Sequence, residues 1–122
     1  MSSKSIFNPS SNTTLHAVIA DTFFSKFAGL MFRKSIPFDT CLILSERYES
    51  IINSSIHMLF MRFDIGVVWV SKDLTVIDKI FAKKWHLAYF SRFPAQHVIE
   101  LHPTQLENFS IGDKLKLHCE NH

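Results

Sequence analysis

Seven histidines and two cysteines are the residues of this 122-residue sequence best able to hold a metal, so their spacing decides whether one is expected. His97 and His102 lie five apart, and His118, Cys119 and His122 crowd the C-terminus. A catalytic zinc needs three convergent ligands and an open position, and no HExxH or comparable helix-borne pair is present. The histidines are read as surface or hydrogen-bonded groups, and no metal is expected. Cys41 and Cys119 stand far apart with no CxxC spacing, which gives neither a disulfide framework nor a zinc site. Both are expected to be small buried hydrophobes, although sequence separation does not forbid a bridge. Nucleophilic catalysis needs Ser or Cys beside a base, and no GxSxG elbow occurs. Gly29, Gly66 and Gly112 are isolated, which excludes the phosphate cradle of a P-loop or Rossmann site. No cofactor is expected, and the reading leans away from an enzyme.

A different chemistry is carried by Lys83-Lys84-Trp85-His86-Leu87-Ala88-Tyr89-Phe90-Ser91-Arg92-Phe93, which mixes cations and aromatics as nucleic-acid and membrane-surface segments do. Three cations in one loop fall short of a basic face, so the segment reads first as a long loop pinned by Trp85 and Phe90. Long aromatic loops are common at binding sites, and Trp85 is the preferred wall of any pocket. The whole chain carries 13 Lys+Arg against 11 Asp+Glu, a net charge of +2, with 20% charged residues. That balance excludes charge-driven disorder and gives no strong nucleic-acid signal.

The elements that must position these groups are short. Hydrophobic residues make up 47% of the chain and twelve are Phe, enough for the core of one domain at this length. Residues 2–14 hold just two large apolar side chains, Ile6 and Phe7, so residues 1–14 read as a flexible tail, leaving residues 15–122 as a single domain. Leu15 to Ala20 reads as an opening strand; Asp21 and Thr22 then cap a short helix whose apolar stripe is Phe23, Phe24, Phe27, Leu30 and Met31. Strands are expected at Cys41–Leu44, from Ile56, at Ile65–Val70, after the Ser71-Lys72-Asp73 turn, at Val98–Leu101 and at Lys114–Cys119. Pro103 to Glu107 reads as a helical turn capped by Thr104, and Gly112-Asp113 as a turn. The sum is an α+β, mostly β architecture: a small antiparallel, barrel-like sheet with one short helix near the N-terminus and a helical turn near the C-terminus. No secretory h-region follows Met1 and no window approaches the roughly 18 apolar residues of a spanning helix, so a soluble, cytoplasmic protein is expected.

Gly29-Leu30-Met31-Phe32-Arg33 resembles the GLM(F/Y)R signature of the family called domain of unknown function 192. Ser55-Ile56-His57-Met58 and the later Asp64-Ile65-Gly66-Val67-Val68-Trp69-Val70 are similar to its second motif, an S-x-x-M followed by Pro, Leu or Ile, Asp and an apolar run. Val98-Ile99-Glu100-Leu101 matches its VLEL strand, and Ile111-Gly112-Asp113-Lys114-Leu115 its glycine–aspartate turn. The resemblance covers about Leu15 to Leu117 and implies a small, largely β domain with a short helix near the first motif. It implies no established activity. Asp64 and Gly66 stand where the second motif has Pro and Asp, and the Gly after the VLEL strand is missing around His102 and Pro103. Asp64 lies two residues before Gly66, a spacing that in a strand shares one face.

Of the matching positions, Gly29, Met31, Met58, Gly112 and Asp113 have ready packing or turn roles. Arg33 and Glu100 differ, because neither charge helps a core unless paired: they form either a structural ion pair or a ligand-orienting site. The leading expectation is a binding or interaction module for a small polar ligand or a protein segment, with Arg33, His57, Asp64, Trp85 and Glu100 as candidate ligand-binding residues. One alternative is an acid/base, hydrolase-like enzyme with Glu100 or Asp64 as base and His57 as acid. Another is a peripheral membrane or nucleic-acid contact through Lys83, Lys84, Trp85 and Arg92. Oligomeric state is left open.

Overall fold

The computed structural model describes residues 2–20, 36–51, 54–55, 63–86 and 88–121. Seven strands carry it: β1 (Ser2–Asn8), β2 (Thr13–Ala20), β3 (Thr40–Ser50), β4 (Ile65–Val70), β5 (Val76–Ala82), β6 (Ala95–Leu101) and β7 (Lys116–Asn121). A 3-10 helix, Pro103–Asn108, lies between β6 and β7. The strands form one sheet in the order β5-β4-β6-β3-β2-β1-β7. Every neighbouring pair is antiparallel except β2 and β3, which are parallel.

The sequence of β4 explains its place inside the sheet. All six residues of Ile-Gly-Val-Val-Trp-Val are buried, as a continuous apolar run requires when both faces are covered. In β2, by contrast, Leu15 and Ala17 are buried while His16 and Val18 are exposed, the alternation of a half-covered strand. Register then sorts the residues onto two faces. Ala17, Cys41, Leu101, Gly66 and Phe81 are successive partners across the sheet on one face. On this first face Leu106 of the 3-10 helix and Phe109 pack over Val68, Ile99 and Leu101. Val18, Leu42, Glu100, Val67 and Ile80 are partners on the opposite face. There Ile36, Phe63 and Tyr89 close over Val67, Trp69 and Val98.

Several expectations change. Residues 2–8 are not a flexible tail: β1 pairs with β2 on one side and β7 on the other. Two complete hydrogen-bonded ladders, together with burial of Ile6 and Asn8, order a segment that has few apolar side chains of its own. The named strands do not close into a barrel, since β5 and β7 are the two edges of the order. Among the described residues their approaches meet at one corner, where Val76 N donates to Asp113 O, Gly112 N to Val76 O and Leu115 N to Leu74 O, each at 2.8 Å. Gly112 turns that corner with φ +97°, a conformation glycine takes without penalty. β7 starts at Lys116, and Lys114 instead forms an isolated bridge with Thr75. The 3-10 helix is capped by the His102 ring, which accepts from Thr104 N, rather than by Thr104. Cys41 is buried as expected, but Cys119 on edge strand β7 is exposed, and both thiols are free. The expected helix after Asp21 and the strand from Ile56 to Arg62 lie outside the described residues.

Candidate functional site

Glu100 belongs to β6, the third strand of seven, and is 1% exposed. Its partners across the sheet are Val67 of β4 and Leu42 of β3. The alternation of Val98 and Glu100 puts both on the second face, so a carboxylate is set into an otherwise apolar row. Gly66 faces the other way, toward Leu101 and Leu106. The position where the resemblance expects an Asp therefore does not share a face with Glu100.

The second face is covered by a connection whose course follows from the strand order. β5 and β6 both run antiparallel to β4, which lies between them, so residues 83–94 must return along the length of the sheet. Asp78 of β5, buried beside Trp69, fastens the returning chain. Its Oδ2 accepts from Arg92 N at 2.8 Å, and its Oδ1 accepts from Arg92 Nη2 at 3.0 Å and Nε at 3.2 Å. Burial alone would raise the Asp78 carboxyl, but the Arg92 side chain with the Arg92 and Lys79 amides more than offsets it and holds it below the ordinary carboxylate range. At the start of the connection, Lys83 N donates to Tyr89 Oη at 3.0 Å and the His86 and Tyr89 rings stack at 4.3 Å. Lys84 N donates to Asp64 Oδ1 at 2.7 Å.

Asp64 thus fastens the turn that carries Trp85. Trp85 itself is 56% exposed and has φ +66°, a left-handed conformation unusual for a bulky residue. Of the five candidate ligand-binding residues, Asp64, Trp85 and Glu100 are described; Arg33 and His57 lie outside the described residues. Among the described residues no group of three or more His, Cys, Asp and Glu is placed to hold a metal ion. No described helix is long and apolar enough to cross a membrane.

Two arrangements escaped the sequence reading. Asp78 pairs with Trp69 on the second face, whereas Val76 pairs with Val70 on the first across a register shift, so no simple alternation along β5 announces the inward place of Asp78. The second joins His97 of β6 to Ser45 of β3, register partners whose Nδ1 and Oγ lie 2.7 Å apart. Burial pushes the His97 imidazole below its ordinary value, and the charge of Glu49 opposes that shift. Glu49 falls in the irregular stretch where the β3–β6 register shifts between Ser45 and Ser50, and no local sequence signal marks it.

An open, mostly antiparallel seven-stranded sheet, with a carboxylate buried on an inner strand and an aromatic connection over one face, defines a small mostly β domain. The chain belongs to the DUF192 family, described as "Uncharacterized ACR", whose sequence profile matches residues 6–117. It is 42% identical over 82 residues to a UPF0127 protein of Thermococcus kodakarensis, covering 67% of this chain and 50% of that protein. A UPF0127 protein of Thermococcus gammatolerans is 38% identical over 85 residues, covering 70% and 54%. This chain therefore spans about half the length of these two relatives. A Pyrococcus furiosus UPF0127 protein is 36% identical over 99 residues, covering 80% of this chain and 82% of that protein. Among solved structures, a Sinorhizobium meliloti 1021 protein named as a candidate transcription regulator superposes with TM-score 0.77 at 19% identity, covering 95% of this chain and 93% of that one. A Novosphingobium aromaticivorans protein of unknown function superposes with TM-score 0.78 at 17% identity, covering 93% and 83%. At these identities the two structures share the fold alone.

Proposed function

We propose that the chain is a noncatalytic binding module that takes a small polar ligand or a peptide segment at the second face of the sheet. The observation that carries this reading is the burial of Glu100 between Val67 and Leu42. A buried carboxylate costs several kcal/mol in desolvation until a cation or donors meet it, and an apolar residue would pack the sheet at least as well. Its use in such a place is to fix a cation. In this proposal the cation is Arg33, which enters from the family resemblance; its guanidinium is held by Glu100 and offers its remaining N–H edge to a carboxylate or carbonyl. His57 is a further candidate contact of the ligand. Trp85 supplies an apolar wall, and Asp64 steadies that wall through the Lys84 amide.

The acid/base alternative has less support, because Glu100 is closed off from solvent and Asp64 Oδ1 already accepts from Lys84 N. A cytoplasmic setting is part of the proposal and is supported by two free thiols. The test is titration of isotopically labelled protein with small carboxylates and short peptides, followed by amide chemical shifts. Shifts should gather on Val67, Val98, Glu100 and Trp85 and vanish in Arg33→Ala, with thermal unfolding confirming that the variant is folded. Shifts confined to other surfaces, or unaltered by Arg33→Ala, overturn the proposal.

A further inference from the structure

We propose that the outer side of the connection between β5 and β6 docks the protein onto an anionic lipid surface. This inference does not rest on the ligand site proposed above, although Trp85 belongs to both.

The connection has two unlike sides. Its inner side is tied to the body by the Asp78–Arg92 and Asp64–Lys84 bonds and by Tyr89, which packs on the second-face core. Ser91 is buried, whereas Phe90 and Phe93 are 54% and 56% exposed. Trp85 is similarly exposed at the start of the connection, and Ile80 on the adjoining edge strand is 37% exposed on the same face of the sheet. Apolar rings are thus turned to water from a segment whose backbone is held in place. Large apolar side chains exposed together along one segment point to an interaction surface.

Charge selects the occupant. The fifteen residues from Ile80 to Pro94 contain Lys83, Lys84 and Arg92 and no acidic residue, a charge of +3 where the entire chain has only +2. Lys83 and Lys84 are exposed, and the Arg92 side chain is 64% exposed although it bonds Asp78. Cations interleaved with phenyl and indole rings match the boundary between anionic headgroups and acyl chains, where rings enter hydrocarbon and cations remain with phosphate and carboxylate groups. Single strands of nucleic acid also stack on aromatics, but they are followed by a long basic track. A chain of net charge +2 and isoelectric point near 8.6 offers none.

The experiment is co-sedimentation of the full chain with vesicles of phosphatidylcholine alone and of phosphatidylcholine mixed with phosphatidylserine. The chain should sediment with the mixed vesicles only, and less so as salt is raised. Binding should move tryptophan emission to the blue through Trp85, since Trp69 is already fully buried. Replacing both Lys83→Gln and Lys84→Gln should weaken partitioning about 25-fold, near fivefold for each cation. The double variant Phe90→Ser, Phe93→Ser should lose vesicle binding without a change in thermal unfolding, because both rings are exposed. Failure of the wild-type chain to bind mixed vesicles overturns the proposal. Retention of binding in the Phe90→Ser, Phe93→Ser protein overturns it as well, and so does tighter binding to a single-stranded oligonucleotide than to mixed vesicles in the same buffer.

Discussion

Asn8, the last residue of β1, donates from Nδ2 to Asp113 Oδ2 at 2.8 Å, joining side chains 105 residues apart. The same nitrogen donates to the Asn108 carbonyl at 2.8 Å, so one buried amide ties the N-terminal strand to the chain on both sides of Phe109. Asn8→Ala removes both bonds and leaves acceptors partly enclosed, at a cost of roughly 2 to 3 kcal/mol in chemical denaturation. The Asn8 bond is also the leading reason that the Asp113 carboxyl is held below its ordinary value of 3.8, followed by the Ser110 amide. Stabilisation from Asp113 is therefore present above that value and lost as pH falls through the lower folded value. Asn8→Ala should make this acid-induced loss shallower.

His97 gives a pH dependence of its own. Burial lowers its folded proton affinity, while the unfolded imidazole takes up a proton near 6.5. Between the two values the unfolded chain binds more protons, so stability falls as pH is lowered through 6.5 and levels off below the folded value. The difference between wild type and His97→Gln, followed by denaturation from roughly pH 5 to 8, isolates this contribution from the other histidines. Glu49→Gln should enlarge the loss, because the Glu49 charge is what opposes the lowered affinity.

At the β5–β6 connection, Arg92→Ala takes two side-chain donors from buried Asp78 and leaves it the amides of residues 79 and 92. Solvent screens the exposed guanidinium, but buried Asp78 loses two charge-assisted donors, so stability at neutral pH should fall. The Asp78 carboxyl should titrate closer to its ordinary value of 3.8 in the variant, a shift that carbon-detected NMR would read directly. An unchanged titration would show that the two backbone amides suffice.

These relationships differ in how much of them can be read from the sequence. β4 and its following turn are visible locally, since Ile65 to Val70 is a continuous apolar run and Ser71-Lys72-Asp73 a turn signal. β1 is not, because its order comes from β2, from β7 and from Asp113, all supplied by distant sequence. Open strand order is likewise invisible to periodicity: the same alternating strands fit a barrel or a sheet. For the candidate site, the VIEL strand locates Glu100, while the partner of Asp64 is a backbone amide that no residue type announces. Asp78 is read as an ordinary alternating charge until the connection is seen to return across it.

Gly66 tests the packing beneath the 3-10 helix. A Cβ at this position would lie 2.6 Å from Leu101 Cδ1 and 2.7 Å from Leu106 Cγ, well inside contact distance. Gly66→Ala should cost roughly 1 to 3 kcal/mol through overpacking. Combining it with Leu106→Ala, which opens space above the strand, should cost less than the two single substitutions together. Simple additivity in that double-mutant cycle would show that the helix moves aside without hindrance.

The cysteines give the last prediction, because one fold buries the first and exposes the second. Register runs from Cys119 through Lys4 and Ala17 to Cys41, so two strands stand between their own. At about 4.8 Å per strand the separation is about 14 Å, twice what a disulfide spans. Burial also pushes the Cys41 thiol up to about 12, leaving almost no thiolate at neutral pH, while Cys119 lies on the exposed edge strand. Native protein treated with an aromatic disulfide reagent should therefore acquire one adduct quickly, at Cys119, and a second only as the sheet opens. In Cys119→Ser the remaining modification should follow the unfolding rate and accelerate with denaturant along the unfolding limb. Rapid labelling of both thiols in native buffer would mean that β3 is exposed by motions much smaller than unfolding, and the buried row around Cys41 could not be as closed as its position in the sheet requires.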